Sequence, residues 1–134
     1  MAYPLPVAQG ALVAKLEADA ALMALVSGVY DQVPQGTPLP HLRMAEVTAV
    51  PQETSSHGGW RLRFELQATS RHGGKAECHA ILARLHTLLQ ETDASVSGYT
   101  FIQSRVLGSR VAELRDGEHW RGTLEAEWLL QQSH

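Results

Sequence analysis

His79 and His86 are the side chains in this sequence best typed for holding a metal ion, with Cys78 beside them as a candidate thiolate. A protein metal site needs three or four donors converging on one ion at about 2.0–2.3 Å. Two histidines seven residues apart on a helix stand about 10 Å apart along its axis, too far to share an ion. Cys78 leaves the helix on a different side from His79, no acidic residue lies at ligand spacing, and no H-E-x-x-H occurs. The chain has seven histidines, and His41, His57, His72 and His119 fall in expected loops or at strand edges, where a solvated imidazole is the default. The expectation is histidines on polar boundaries and no metal site.

Nucleophilic and phosphate chemistry are tested in the same way. A serine elbow requires G-x-S-x-G, which is absent. His57-Gly58-Gly59 and His72-Gly73-Gly74 each read as a turn. Gly74-Lys75 is followed by Ala76, and Thr69 stands where a P-loop has its leading glycine, so both required positions fail. Cys78 lies on an apolar helical stripe, where a small buried hydrophobe is the better reading than a reactive thiolate. Glu125 and Glu127 share a strand face, as paired carboxylates would. With Arg61 and Arg63 on an expected neighbouring strand, cross-strand charge pairs explain them better. No catalytic residue, cofactor site or metal set is assigned, and the chain is not read as an enzyme.

The elements that carry these residues follow from periodicity. Ala8, Leu12, Leu16 and Ala20 recur at helical spacing within residues 6–26, which predicts a first helix ending at Ser27-Gly28. HLRMAEVTAV (41–50) reads as a strand whose apolar phase shifts near Ala45, the mark of a bulge. PQETSSHGG (51–59) reads as a loop. WRLRFELQAT (60–69) alternates cleanly, with Trp60, Leu62, Phe64, Leu66 and Ala68 on one face. Residues 73–91 return to helical period through Cys78, Ile81, Leu82, Leu85, Leu88 and Leu89. Residues 99–115 read as a strand interrupted at Gly108. Asp116-Gly117 predicts a two-residue type I′ hairpin turn, and residues 120–130 close the pattern as a last strand. The expected fold is α+β: a two-layer sandwich in which two helices cover one face of an antiparallel four-stranded sheet, in the order α-β-β-α-β-β. Residues 1–134 are read as one domain.

Composition excludes several function classes. Of 134 residues, 44% are hydrophobic and 19% charged, the balance of a chain that buries a core. A single cysteine excludes an internal disulfide and any CxxC site. No apolar run approaches the ~20 residues of a membrane span, and the N-terminal stretch lacks the basic start of a signal peptide, so no membrane partner is expected. The net charge is −3, with no basic tract to grip nucleic acid.

One segment remains unexplained by core or chemistry. VYDQVPQGTPLP (29–40) places Pro34, Pro38 and Pro40 around Gly36, between helix and strand. Proline fixes φ and lacks a donor, so this stretch reads as a stiff loop outside any sheet. The helix before it, VYDQVPQGTPLPHLRMAEVT itself, SRHGGKAECHAILARLHTLL and the closing RDGEHWRGTLEAEW together resemble the tail-completion proteins. These are the tail-terminator or neck proteins of long-tailed phages and gene transfer agents. The resemblance spans nearly the whole chain. The sequence departs from the family pattern after the last proline of the loop, where His41 and Leu42 stand in place of an expected aromatic residue.

The resemblance implies assembly. Such proteins form a hexameric ring on the finished tail tube, halt its polymerisation and face the head-side connector. The implied partners are further copies of this chain, the major tail tube protein and the head-side connector or stopper protein, with room for contact to the tape-measure protein. DNA is expected to pass through the ring without specific binding. The implied location is the host cytoplasm during assembly and then the head–tail junction of the particle. Two alternatives stay open: another neck component, such as a head-closure or tail-to-head joining protein, and a small ligand-binding or enzymatic α+β domain. A loop held stiff loses little entropy on docking. Tyr30, Asp31, Gln32, Val33, Pro34, Pro38 and Leu39 are therefore the candidate subunit-interface residues, with Tyr30 and Leu39 as apolar anchors or, equally, as covers for the end of the core.

Overall fold

Leu5, Ala8, Leu12 and Leu16 recur three or four residues apart and are all buried, which winds Leu5–Glu17 into helix α1 with this stripe against the sheet. The helix does not run on to residue 26. The computed structural model, which describes residues 3–54, 57–71 and 75–132, ends α1 at Glu17 and starts a second helix, α2, at Ala20–Met23. Asp19 makes the break. Its backbone is extended (φ −89°, ψ 109°) and its carboxylate accepts the Leu22 N–H at 2.8 Å as an N-cap. Arg84 of helix α3 (Ala76–Leu89) grips both carboxylate oxygens, Nε to Oδ2 at 2.8 Å and Nη2 to Oδ1 at 2.6 Å. An aspartate ahead of an apolar run is a start signal, and here it outweighs the continuing helical period.

The Arg84 guanidinium, helped by the Leu22 N–H, holds the Asp19 carboxyl down at about 2, against an ordinary 3.8. A carboxyl depressed in the folded state adds stability that is complete above the unfolded value and disappears as pH falls through the folded one. Asp19 is thus expected to sensitise the fold to acid between about pH 4 and pH 2. Asp19→Asn should melt at a lower temperature than the native chain at pH 7, and the gap should narrow as pH is lowered through that window. Thermal melts of both proteins across the window check this, and a gap that widens on acidification would refute it.

The sheet has five strands, in the order β1-β2-β3-β5-β4. Strand β1 is Val29–Tyr30, β2 His41–Thr54, β3 His57–Ser70, β4 Tyr99–Glu113 and β5 Trp120–Gln132. Four of them form the expected antiparallel ladder, but β1 pairs parallel to β2, Val29 against Leu42 and Tyr30 against Arg43. The sheet is therefore mixed, and the chain has three helices among the described residues. Val29 and Tyr30 precede the first proline of the loop, so the constraint that bars Pro34 from a ladder does not reach them.

The stretch expected as a loop over 51–59 belongs largely to strands, because β2 and β3 run on as a long ribbon pairing Pro51 with Trp60 and Glu53 with Gly58. Proline is tolerated there because β1 covers only Leu42 and Arg43, leaving Pro51 on a free edge. His57-Gly58-Gly59 is thus the start of β3 and not a turn; His72-Gly73-Gly74 lies outside the described residues. The bulge expected near Ala45 appears as a register shift between Met44 and Val47. Gly108 bends β4 without ending it, at a shift between Val106 and Gly108. The β4–β5 hairpin turns through residues 114–119, with positive φ at Gly117 (70°) but not at Asp116. Asp116 shapes this loop through its side chain, accepting the Glu118 and His119 N–H groups at 2.8 and 3.0 Å, so a longer turn replaces the two-residue one.

The core lies between the helices and one sheet face. Leu62, Phe64, Leu66 and Ala68 of β3 and Leu124, Ala126, Trp128 and Leu130 of β5 point into it, and Cys78, Ile81, Leu82, Leu85 and Leu89 of α3 cover them. Trp128 sits at the centre, edge-on to Phe64 at 5.1 Å and to Phe101 at 5.2 Å. Helix α3 can approach because Gly122 has no side chain: a Cβ there would lie 3.1 Å from Leu82 Cδ1.

Candidate subunit interface

The proline loop hangs from the end of α2 and folds across the β1 edge of the sheet. Its conformation is pinned by bonds within the chain. The Ser27 N–H donates to the Pro40 carbonyl at 2.8 Å and Ser27 Oγ to the Pro38 carbonyl at 2.7 Å. Thr37 closes the tip, its N–H and Oγ1 both donating to the Pro34 carbonyl, at 3.2 and 2.6 Å. Gly36 takes positive φ (83°) to complete this turn. Asp31, Gln32, Pro34 and Pro38 are exposed, while Tyr30, Val33 and Leu39 are half-buried. Tyr30 is engaged within its own subunit: it stands edge-on to His41 with ring centroids 6.4 Å apart and lies over Gly28, where a Cβ would come 2.7 Å from the phenol oxygen.

The two sheet edges differ. Beyond Arg43, the outer side of β2 carries no strand among the described residues. At the opposite edge the middle of β4 is clasped by the end of α3. The Glu91 N–H donates to the Ser104 carbonyl and the Val106 N–H to Gln90 Oε1, both at 2.8 Å, and Ser104 Oγ donates to the Leu89 carbonyl at 2.6 Å. Such a clasp blocks strand addition at the centre of an edge. Glu91 holds its positive φ (57°) at this point.

The face away from the helices is patterned by charge. Pairing register places Arg43, Arg61, Arg63, Arg105, Arg110 and Arg121 on it. Across its middle runs a carboxylate belt, where Glu46, Glu65 and Glu125 line one shallow cleft with Arg63 and Thr48. The expected pairing of Glu125 and Glu127 with Arg61 and Arg63 is changed in detail. Glu127 stands opposite Arg63 but bonds Arg105 of β4, at 2.9–3.0 Å, and is buried (3% exposed). Glu125 faces Glu65, and Arg61 faces Leu129.

Alternation along each strand predicts outward residues but cannot say which become neighbours. Register brings together His41, Arg43, Gln67, Thr69 and Arg121, and the proline loop adds Gln32 and Val33 to make a cleft of about 310 Å³. No carboxylate lines it. Arg121 Nε is buried there without a hydrogen-bond partner, and His41 Nδ1 has none outside its own residue. Burial, with the Arg121 guanidinium and the His119 ring near, pushes the His41 imidazole below its ordinary value.

His79 and His86 are exposed on α3, and Cys78 is buried beneath it, its thiol pushed up by burial. Among the described residues no three His, Cys, Asp or Glu side chains converge as metal ligands, and no helix is long and apolar enough to cross a membrane.

A family model described as "Tail completion protein gp17" matches residues 10–131. A solved chain from the virion of a native gene transfer agent particle has the same fold, with a TM-score of 0.86 over 98% of this chain and 99% of that one, at 22% identity. No curated protein matches the sequence.

Proposed function

The chain belongs to the tail completion protein gp17 family, and from that premise we propose that it completes a phage-like or gene-transfer-agent tail as a hexameric ring. The ring sits on the finished tube, ends its polymerisation and offers its other side to the head-side connector; DNA passes through its lumen. The observation that carries the reading is the extent of the family match, residues 10–131, from within α1 to within β5. Membership makes this a structural tail protein, and an enzyme unexpected. The virion chain of the same fold supports placing it in a particle; the head–tail junction is the place the ring reading gives it there.

The proline loop is the contact we assign to this ring. Its exposed residues Asp31, Gln32, Pro34 and Pro38 sit on a frame already fixed by Ser27 and Thr37. Docking a surface fixed beforehand forfeits little entropy, and a closed ring repeats two different patches around its circle. Replacing Pro34 and Pro38 together by glycine is expected to weaken ring formation while the subunit stays folded. Each change frees about 0.4–1 kcal/mol of chain entropy in the undocked loop, and six copies multiply the loss. Assembly yield and thermal melts of the double variant decide the matter. Unchanged assembly with a collapsed melting temperature would make the loop a cover for the core instead.

A further inference from the structure

We propose that the cleft beneath the proline loop is a receptor for a carboxylate on the β4 edge of a second copy of this chain, an inference that rests on the ring assigned above. The cleft gathers Arg43 and Arg121 with His41, Gln32, Gln67 and Thr69 and holds no acidic group. Arg121 is half-buried with its Nε left unpartnered in the subunit, and a buried guanidinium donor without an acceptor is costly. An oxyanion entering the cleft meets two guanidinium charges at once, and a hydrogen bond it accepts from either is charge-assisted.

A protein carboxylate fits better than a DNA phosphate. A duplex lying on this face would cross the belt of Glu46, Glu65 and Glu125, about 7 Å along the strands from Arg43 and Gln67. A single side chain reaching the cleft from the loop side avoids that belt. The remaining positive charge on the face is partly spent, since Arg105 is tied to Glu127. The opposite edge of the same subunit carries the complement. Glu91 stands in the clasp on β4, Asp93 follows it and Glu113 ends the strand; all three are exposed and none of their carboxylates is ion-paired among the described residues, while the Lys15 ammonium bonds the Asp93 backbone carbonyl at 2.6 Å. A basic cleft on the β1 side and free carboxylates on the β4 side are the two unlike patches that a head-to-tail ring requires.

The test uses Arg121→Lys in the full chain, assembled into rings, followed by zero-length carbodiimide coupling. Coupling joins an amine to a carboxylate only where the two touch. The expected result is a ladder of chain multimers on denaturing gels that the native chain lacks, with the new link mapped by mass spectrometry from position 121 to Glu91, Asp93 or Glu113. A link within one chain, a link to a different protein, or rings without any link specific to the variant would each overturn the receptor while leaving the ring intact. Failure of the native chain to form rings at all would instead strike the reading beneath it. A thermal melt confirms that the lysine variant folds. In a second arm, binding of a labelled duplex is compared between the native chain and Arg43→Gln/Arg121→Gln. The two should differ less than twofold, and a tenfold loss in the variant would assign the cleft to phosphate and overturn the proposal.

Discussion

Replacing Trp128 by alanine is expected to lower the free energy of unfolding by about 3–5 kcal/mol, the usual cost of emptying a buried aromatic site. The indole has no exposure, and Phe64 and Phe101 meet it edge-on from β3 and β4, so its loss removes the joint between the two halves of the sheet. Against a typical total of about 5–15 kcal/mol, that is a large share of the stability and lowers the melting temperature substantially. A smaller opposing term exists: Trp128 Nε1 is buried without a hydrogen-bond partner, and truncation relieves it. Trp128→Phe keeps the aromatic contacts and removes the orphan donor, so it should lose far less than alanine does. Denaturant titration of the two variants checks both statements. An alanine variant within about 1 kcal/mol of the native chain would show that the sheet is joined elsewhere.

Local pattern revealed more of this protein than pairing did. The alternation of Trp60 to Ala68 and the stripe from Cys78 to Leu89 determined two core surfaces correctly, because burial imposes a period that survives in sequence. The helix start at Asp19 was missed because a continuing apolar period runs across it, and its bidentate partner Arg84 lies sixty-five positions away. Strand β1 is two residues long, too short for any period to announce it. Pro51 and Gly58-Gly59 read as a loop because turn residues usually mark one, yet on a ribbon with a free edge they cost the ladder little. The proline loop was visible as a stiff exposed segment. The cleft beneath it was not, since it exists only where Arg43, Gln67 and Arg121 meet across three strands.

The largest biological effect should follow from removing the chain altogether. On the function proposed above, particles made without this chain are expected to show tubes of unregulated length and heads left unjoined. Restoring the native chain should return both tail length and joined particles. The most direct measurement is an electron cryomicroscopy reconstruction of the head–tail junction from complete particles, calculated without imposed symmetry. One ring of six copies is expected between tube and connector, with the proline loop of each subunit, residues 29–40, against its neighbour. A ring of another symmetry, a loop facing solvent or lumen in every copy, or the fold found somewhere other than the junction would contradict it.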